Sequence, residues 1–177
     1  RGWFLALMTA VRRYFGERRP ELRAMNGLLA SSLDSETIGA MRRSGFKTLN
    51  LALITTAAAQ LKRFGRPDLT GDMDRVLALA AQSGLSSMAY LIVAGPGQDP
   101  HDALQDLLFL ARRRALAGVS VFYPAPGSAD YGWCRRHGLL PPHSGLLRAT
   151  ALPLTHTTDR LQAVTLLRLG RILNFMK

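Results

Sequence analysis

The chain has 177 residues, of which 47% are hydrophobic, and its 23 Lys and Arg outnumber its 12 Asp and Glu, for a net charge of +11. This apolar content supports one domain with a real core and excludes a disordered chain. The single cysteine, Cys134, excludes an internal disulfide framework and any zinc or iron–sulfur site built from this chain's cysteines alone, and it favours a reducing, cytoplasmic location.

The basic surplus has two interpretations. It favours an anionic partner such as RNA, a nucleotide or an acidic protein. The arginines are scattered in short groups with no interleaved aromatic residues, however, and that pattern is typical of solvated helix faces. The groups are Arg12-Arg13, Arg18-Arg19, Arg42-Arg43, Arg112 to Arg114 and Arg135-Arg136.

The chain opens on an amphipathic pattern that predicts a helix over 3–16. Its apolar stretch is too short to span a membrane, and Arg12-Arg13 follow that stretch instead of preceding it, so no transmembrane segment or signal peptide is predicted. Because residue 1 is Arg and not Met, we expect the native protein to begin further upstream, with this chain as a fragment of it.

Four apolar segments are predicted as strands, over 22–28, 46–54, 86–93 and 119–123. Helical patterns are predicted between them, over 35–44, 57–64, 68–83 and 99–115. Met73, Val76, Leu77 and Ala80 share one face of the third of these helices. Strands that alternate with single helices indicate right-handed βαβ units and a parallel sheet, so the predicted fold class is α/β with about four strands and outer helices.

The remainder is less regular. A short helix over 131–138, a turn over 139–142 and a final amphipathic helix over 161–175 are predicted. Leu166, Leu169, Ile172 and Leu173 form the apolar side of the last helix, which we expect to cover an end or a side of the sheet. The predicted organisation is an α/β part over 1–130 and a helical extension over 131–177.

The corner at 94–98 draws attention because a buried strand passes there through Ala94-Gly95-Pro96-Gly97-Gln98 into a helix that begins at Asp99-Pro100. Glycines let the backbone approach a ligand, and the free N–H groups of the next helix favour anions or electron-rich edges. A plain turn between a strand and a helix is the alternative interpretation.

The other strand ends offer a ligand backbone polar groups, hydroxyl groups, a side-chain amide and an aromatic ring. They offer no nucleophile with a base, no paired carboxylates and no metal cluster, which suits holding a cofactor better than proton chemistry. The four histidines, 101, 137, 143 and 156, do not form a catalytic pattern. Cys134 beside two arginines is either a reactive thiol or a buried, incidental one.

Taken together, the order of these signals resembles the second half of a radical S-adenosylmethionine (radical SAM) barrel, particularly of the cobalamin-binding-domain subgroup. The matching segments are 23–27, 33–41, 44–45, 49–55, 61–66, 84–85, 92–97 and 123–128, with 166–175 resembling the subgroup's C-terminal helix. Each motif is weak alone, and their order and spacing cover nearly the whole chain.

The resemblance implies a partial (β/α) TIM-type barrel, and with it the N-terminal half of the same barrel as a partner. Its strand ends hold S-adenosylmethionine over a [4Fe–4S] cluster, where reductive cleavage yields a 5′-deoxyadenosyl radical for a substrate that stays unidentified. The CxxxCxxC loop that carries the cluster is absent from this chain, so the resemblance places it upstream, together with a cobalamin domain.

The resemblance also implies roles for particular residues. Thr55 would face the ribose of the cofactor. The corner residues Gly95, Gly97 and Gln98 would face the adenine, with Pro96 between them also binding the cofactor. Residues 123–126, which include Tyr123 and Pro124, would face the cofactor or substrate edge.

Two departures from the family pattern support an alternative. Ile54 stands where many members carry a glutamate, and Gln98 replaces a second glutamate. Each lost polar contact costs about 1–3 kcal/mol of cofactor binding, so a degenerate barrel that acts as a non-catalytic scaffold or an RNA-interacting domain is the second hypothesis. We also expect a half barrel on its own to expose a parallel edge and an apolar inner face, and therefore to be poorly soluble or to pair.

Overall fold

The computed structural model describes residues 1–18, 20–148 and 153–177. Arg19 of the Arg18-Arg19 pair lies outside these ranges. Three parallel strands pair in chain order: β1 (Thr48–Ile54), β2 (Ser86–Val93) and β3 (Leu116–Val121). The helices are α1 (Gly2–Phe15), α2 (Ser35–Arg43), α3 (Ala58–Phe64), α4 (Thr70–Gln82), α5 (Pro100–Ala111), α6 (Ala129–Arg136) and α7 (Arg160–Phe175).

The predicted α/β class with a parallel sheet and outer helices is confirmed, but the first predicted strand, 22–28, is wrong. This segment pairs with β1 and with the residues just before it through two isolated parallel bridges, Leu22 with Phe46 and Leu28 with Leu51. The backbone leaves the extended form between them, because the Gly27 N–H closes a turn on the Ala24 carbonyl. A tight turn therefore interrupts the pairing that a continuous strand would make.

The predicted boundary between the 99–115 helix and the last strand is also wrong. Helix α5 ends at Ala111, and β3 begins at Leu116 and not at residue 119. Residues 116–118 pair with residues 88–90 of β2, and these sheet hydrogen bonds replace a further helical turn. The Lys177 ammonium group donates to the Leu110 and Arg113 carbonyls, 2.7 Å away in both cases, which satisfies groups left at the end of α5.

One face of the sheet packs against the helices. Leu49, Leu51 and Leu53 of β1 are buried there, as their alternation predicts, and they meet Met73 and Val76 of α4 in one core. The apolar stripe predicted for α4 is confirmed.

The opposite face of the sheet is more polar and forms the inner side of the partial barrel. The Tyr90 ring of β2 lies across Gly118 of β3, where a Cβ atom would sit 2.4 Å from the ring. The Tyr90 hydroxyl accepts a hydrogen bond from the Asn50 amide, 2.7 Å away. A residue larger than glycine at 118 would therefore displace the ring that forms this floor.

Helix α7 packs on β3 at a close crossing, with Gly170 against Val119. Leu166 is buried as predicted, whereas Ile172 is 54% exposed and Leu169 is 37% exposed, so the predicted apolar side is only partly the packed one. Gly170 lies on the packed face because it has no side chain: a Cβ atom there would sit 2.4 Å from the Val119 side chain. Residues before and after 130 share one core, and the division at 130 stays a prediction.

The helical pattern over 99–115 predicts an inward face made of Leu104, Leu107, Leu108 and Ala111, and the buried face of α5 differs from it. Leu107 is buried as expected, but Leu104 and Leu108 are exposed, while Asp106 is fully buried. Along α1, Met8 is buried, and Trp3 and Tyr14 are largely exposed. None of the helices in the described ranges is long and apolar enough to cross a membrane.

Candidate functional site

A cavity of about 720 Å³ opens on the inner face of the sheet at its carboxyl edge. Its walls are mainly aromatic and aliphatic, with Arg66 as the one charged side chain among the described residues that line it. The lining residues are Met25, Asn26, Ile54, Phe64, Arg66, Tyr90, Leu91, Ile92, Ser120, Val121, Phe122, Tyr123 and Ala125. A pocket of this size and polarity suits a small organic ligand.

The ends of β1 and β2 carry strained backbone. Ile54 has a φ of 72° and Ala94 a φ of 61°, both in the left-handed region. A β-branched residue is a marked outlier there, and the pairing register of β1 with β2 shifts just before Ile54. Such strain concentrates at binding and catalytic sites, where the surrounding structure holds it in place.

The end of β1 is held from the helix layer. The Thr56 N–H and hydroxyl both donate to the Asp106 carboxylate of α5, at 2.6 and 2.7 Å. Burial raises the pKa of Asp106, and the hydrogen bonds from Thr56 oppose that rise. Thr55 is buried, and its hydroxyl accepts the Ala57 N–H, so the predicted ribose ligand lies outside the cavity lining; its role stays a prediction.

The corner at 94–98 is held by its own glutamine. The buried Gln98 side chain accepts the Gly95 N–H at 3.0 Å and donates to the Ile92 carbonyl at 3.2 Å. The Gln60 amide of α3 also reaches the Pro96 carbonyl at 3.4 Å. Both ends of the Gln98 amide are thus engaged inside the turn, and the adenine contact predicted for it stays untested.

The same corner is also held from outside, by residues 156–158 near the end of the chain. The Gly97 N–H donates to His156 Nδ1 at 3.0 Å, and the buried Thr158 hydroxyl donates to the Gln98 carbonyl at 2.9 Å. Neither contact was predicted from the sequence, because each joins residues about 60 positions apart.

The end of β3 brings two further predicted residues to the site. Tyr123 lines the cavity and is 41% exposed, while Pro124 is buried. Phe122 stacks on Phe64 of α3, with ring centroids 6.0 Å apart, and a Cβ at Gly95 would lie 3.0 Å from the Phe64 ring. This aromatic pair forms the wall between the cavity and the 94–98 corner.

The titratable groups near the site do not form a metal centre. No group of three or more His, Cys, Asp or Glu that could hold a metal ion occurs within residues 1–18, 20–148 and 153–177. The buried Cys134 has a raised pKa, because burial and the nearby Asp130 carboxylate disfavour its thiolate. Of the two sequence-based interpretations, these facts favour the buried, unreactive thiol.

Comparison with known proteins gives a likeness in structure alone. No protein-family profile matches the chain, and no curated sequence matches it. Among solved structures, the radical S-adenosylmethionine methyltransferase TsrM from Kitasatospora setae, with cobalamin and a [4Fe–4S] cluster bound, matches over 80% of this chain and 29% of its own, at a TM-score of 0.58 and 16% identity. A second TsrM structure, with tryptophan substrate and a SAM analogue, matches 67% of this chain and 24% of its own at a TM-score of 0.51 and 15% identity.

Coproporphyrinogen III oxidase (HemN) from Escherichia coli, described as a radical SAM enzyme, matches over 78% of this chain and 29% of its own, at a TM-score of 0.57 and 15% identity. The chain spans less than a third of the length of each of these proteins. At such identities the likeness concerns the fold, and it agrees with the order of motifs along the sequence. The chain therefore has the fold of the radical SAM superfamily, as a partial barrel similar to part of a cobalamin-containing member.

Proposed function

We propose that this chain is part of a radical SAM enzyme and that the carboxyl edge of its sheet binds the adenosyl portion of S-adenosylmethionine. One observation carries the proposal. In the fold of radical SAM enzymes, an apolar, aromatic-lined cavity opens beside two strand ends whose non-glycine residues, Ile54 and Ala94, are held in the left-handed region. Strain retained beside a ligand-sized cavity supports a binding site.

The residues present fit an adenosyl group better than they fit a metal cluster. Phe122 and Tyr123 offer an aromatic wall, and the Ser120 hydroxyl and Asn26 amide offer hydrogen bonds in the same cavity. The bound cofactor supplies the radical chemistry of its family. The described residues offer no set of cluster ligands, so we infer that another part of the protein holds the [4Fe–4S] cluster, and cobalamin if it is used.

Within this proposal the corner residues act through the shape of the backbone. Gly95, Pro96 and Gly97 would place the turn against the adenine, and Gln98 would hold the turn in that shape. Thr55 would act at the ribose only through the loop that follows β1, and Tyr123 with Pro124 would border the cofactor and the substrate.

The charge of the cavity narrows the substrate class. Arg66 lines the cavity, and no carboxylate does so among the described residues, which supports an uncharged or anionic, largely apolar substrate over a cationic one. The protein's location in a reducing cytoplasm fits a cluster-dependent reaction and stays part of the proposal.

The alternative, a degenerate barrel that serves as a scaffold, has a specific observation in its favour. Ile54 lines the cavity where a glutamate would accept hydrogen bonds, and its side chain offers no acceptor. An RNA-interacting role has less support, since the arginine pairs of α1, α2 and α6 lie in the last turns of those helices, where they stabilise the helix ends.

Binding of S-adenosylmethionine, measured by calorimetry, tests the proposal. We expect the full-length protein to bind the cofactor, and Ile54→Glu to bind it about tenfold or more tightly, since one charge-assisted hydrogen bond contributes roughly 1.5–3 kcal/mol. Ile92→Glu places a carboxylate on the same cavity wall but on β2 instead of at the end of β1, so it serves as the matched control and should not tighten binding.

Catalysis requires a second measurement. The reconstituted full-length protein should release 5′-deoxyadenosine on reduction in the presence of the cofactor. Cofactor binding without this product would support the scaffold, and the absence of binding in both the natural protein and Ile54→Glu would contradict the proposed site.

A further inference from the structure

Hydrogen bonds hold the corner at 94–98 on two sides, and one of its amides belongs to a residue outside the cavity lining. Gly97 is exposed and is not among the residues that line the cavity. Its N–H donates to His156 Nδ1 at 3.0 Å. The turn is therefore held on its inner side by Gln98 and on its outer side by the histidine.

The hydrogen bonds determine the protonation of the His156 ring. A backbone N–H is always a donor, so Nδ1 must be an acceptor and carries no proton. The Thr157 hydroxyl lies 2.9 Å from the same nitrogen, whose single lone pair the Gly97 N–H already engages. The ring proton therefore sits on Nε2, and a second proton on Nδ1 would place two donors face to face at Gly97.

An aromatic cluster on α6 sets the orientation of His156. The Trp133 ring meets His156 edge to face, with centroids 5.0 Å apart and planes at 86°. Trp133 is held in turn by the Arg63 guanidinium, 4.9 Å from its ring centroid, and Arg63 pairs with Asp130 at 2.7 Å. The imidazole thus approaches Gly97 from a built platform and does not belong to a free loop.

A second bond fastens the same segment to the turn. The Thr158 hydroxyl donates to the Gln98 carbonyl at 2.9 Å, and Thr158 is 2% exposed. Residues 156–158, here named the tail clasp, therefore hold two successive residues of the turn, and the clasp lies some 60 residues away in sequence.

We propose that His156 is a positioning residue for the 94–98 turn: its neutral ring holds the Gly97 amide, and protonation of the ring releases this amide from the tail clasp. The titratable and charged groups on the surrounding elements carry both signs. They are Arg63 on α3, Asp130 and His137 on α6, Asp99 at the start of α5, and Asp159 after the clasp.

Hydrogen exchange of the Gly97 amide, measured by NMR and corrected for the intrinsic rate, tests this directly and does not depend on any cofactor. At pH 8 we expect protection of about tenfold or more, and less protection at pH 5, because a protonated Nδ1 cannot accept the Gly97 N–H. His156→Ala should lose the protection at both pH values. His156→Gln keeps an oxygen acceptor and does not titrate, so its protection should be the same at both.

His137→Ala is the matched control, because His137 stacks on the same Trp133 ring, at 4.0 Å, without reaching the turn. It should retain the pH-dependent protection of the natural protein. Unprotected Gly97 at pH 8, or equal protection in the natural protein and His156→Ala, would overturn the proposal. Circular dichroism of each variant separates a local release from loss of the fold.

The consequence for cofactor affinity rests on the proposed function. S-adenosylmethionine should bind the natural protein several-fold more weakly at pH 5.5 than at pH 8, and His156→Gln equally at both. Tighter binding at low pH would overturn the positioning role, because the clasp would then be a cover. If no variant binds the cofactor at either pH, the proposed function fails, and the amide measurement still decides the role of His156.

Discussion

The ends of β1 and β2 both carry strained backbone, and different groups hold each of them in place. Each strand ends on a residue in the left-handed region, Ile54 in one case and Ala94 in the other. The first end is held by a buried carboxylate of the helix layer, Asp106, and the second by a buried amide within the turn, Gln98, with the tail clasp outside it. The first anchor is charged and belongs to the core, while the second is neutral and is completed by residues far along the chain.

This difference indicates how each end responds to change. A carboxylate buried in the helix layer is sensitive to pH, whereas a neutral amide with both of its ends bonded is not. The β2 end also has two independent supports, so that the loss of the outer one leaves the inner one in place.

The largest effect is expected at the inner anchor of the β2 end. Gln98→Ala should lower the free energy of unfolding by about 3 kcal/mol, since it leaves the Gly95 N–H and the Ile92 carbonyl without their partner and opens a small void. Urea denaturation measures this, with the exposed Gln105→Ala of α5 as a control that should change little.

A Gln98→Glu variant tests the hydrogen bond to the Ile92 carbonyl by its dependence on pH. An ionised carboxylate still accepts the Gly95 N–H but cannot donate to the Ile92 carbonyl, whereas the protonated acid can. The variant should therefore be nearly as stable as the natural protein at pH 4 and clearly less stable at pH 7. Equal stability at both pH values would show that the Ile92 contact contributes nothing.

The next effect concerns the charged anchor of the β1 end. Asp106→Ala should lower the free energy of unfolding by about 2 kcal/mol, because the Thr56 N–H and hydroxyl lose their acceptor. Asp106→Asn keeps an acceptor oxygen and should cost less at neutral pH.

The pH dependence of Asp106 gives the contrast with Gln98. The pKa of Asp106 in the folded chain is raised above 3.8, so its contribution to stability is fully present below pH 3.8 and is lost as pH rises through the folded pKa. The stability of Asp106→Asn relative to the natural protein should therefore increase as pH rises through the folded pKa of Asp106. A difference that stays constant with pH would mean that the buried carboxylate does not titrate there.

A smaller effect tests the strain that the two ends share. Ala94→Gly should raise the free energy of unfolding by roughly 0.5–1 kcal/mol, and Ile54→Asn by about 1 kcal/mol, since glycine and asparagine adopt the left-handed region more readily. Ile92→Asn, on the same cavity wall without a positive φ, should be destabilising. Thermal unfolding of the three variants compares them, and destabilisation by Ala94→Gly would contradict the assignment of strain.

The smallest effect is expected at the tail clasp. Thr158→Val keeps the shape of the side chain and removes the hydroxyl that donates to the Gln98 carbonyl, so the free energy of unfolding should fall by about 1 kcal/mol or less. Proteolysis of the region around residues 153–158 should accelerate more than global unfolding does. A loss as large as that of Gln98→Ala would mean that the clasp, and not Gln98, is the main support of the turn.

Much of the architecture follows from local patterns in the sequence. The alternation of Leu49, Leu51 and Leu53, the helical spacing of Met73 and Val76, and the passage from Val93 through the glycines to Asp99 predict the strand, helix and corner that are found. These features depend on neighbours within a few residues, and a periodic pattern records such neighbours. The order of the motifs also predicted the radical SAM fold.

Tertiary structure alone decided how the site is held together. No pattern in the sequence assigned a role to Asp106, and His156 lay in an irregular tail, yet the first anchors the end of β1 and the second reaches Gly97. It also did not show that Tyr90 lies over Gly118, or that Gly170 brings α7 against Val119. These contacts join residues that are distant in the chain and are formed only when the strands and helices pack, so no local pattern records them. The sequence by itself thus determined the kinds of elements and their order, and packing determined which polar groups hold the strand ends.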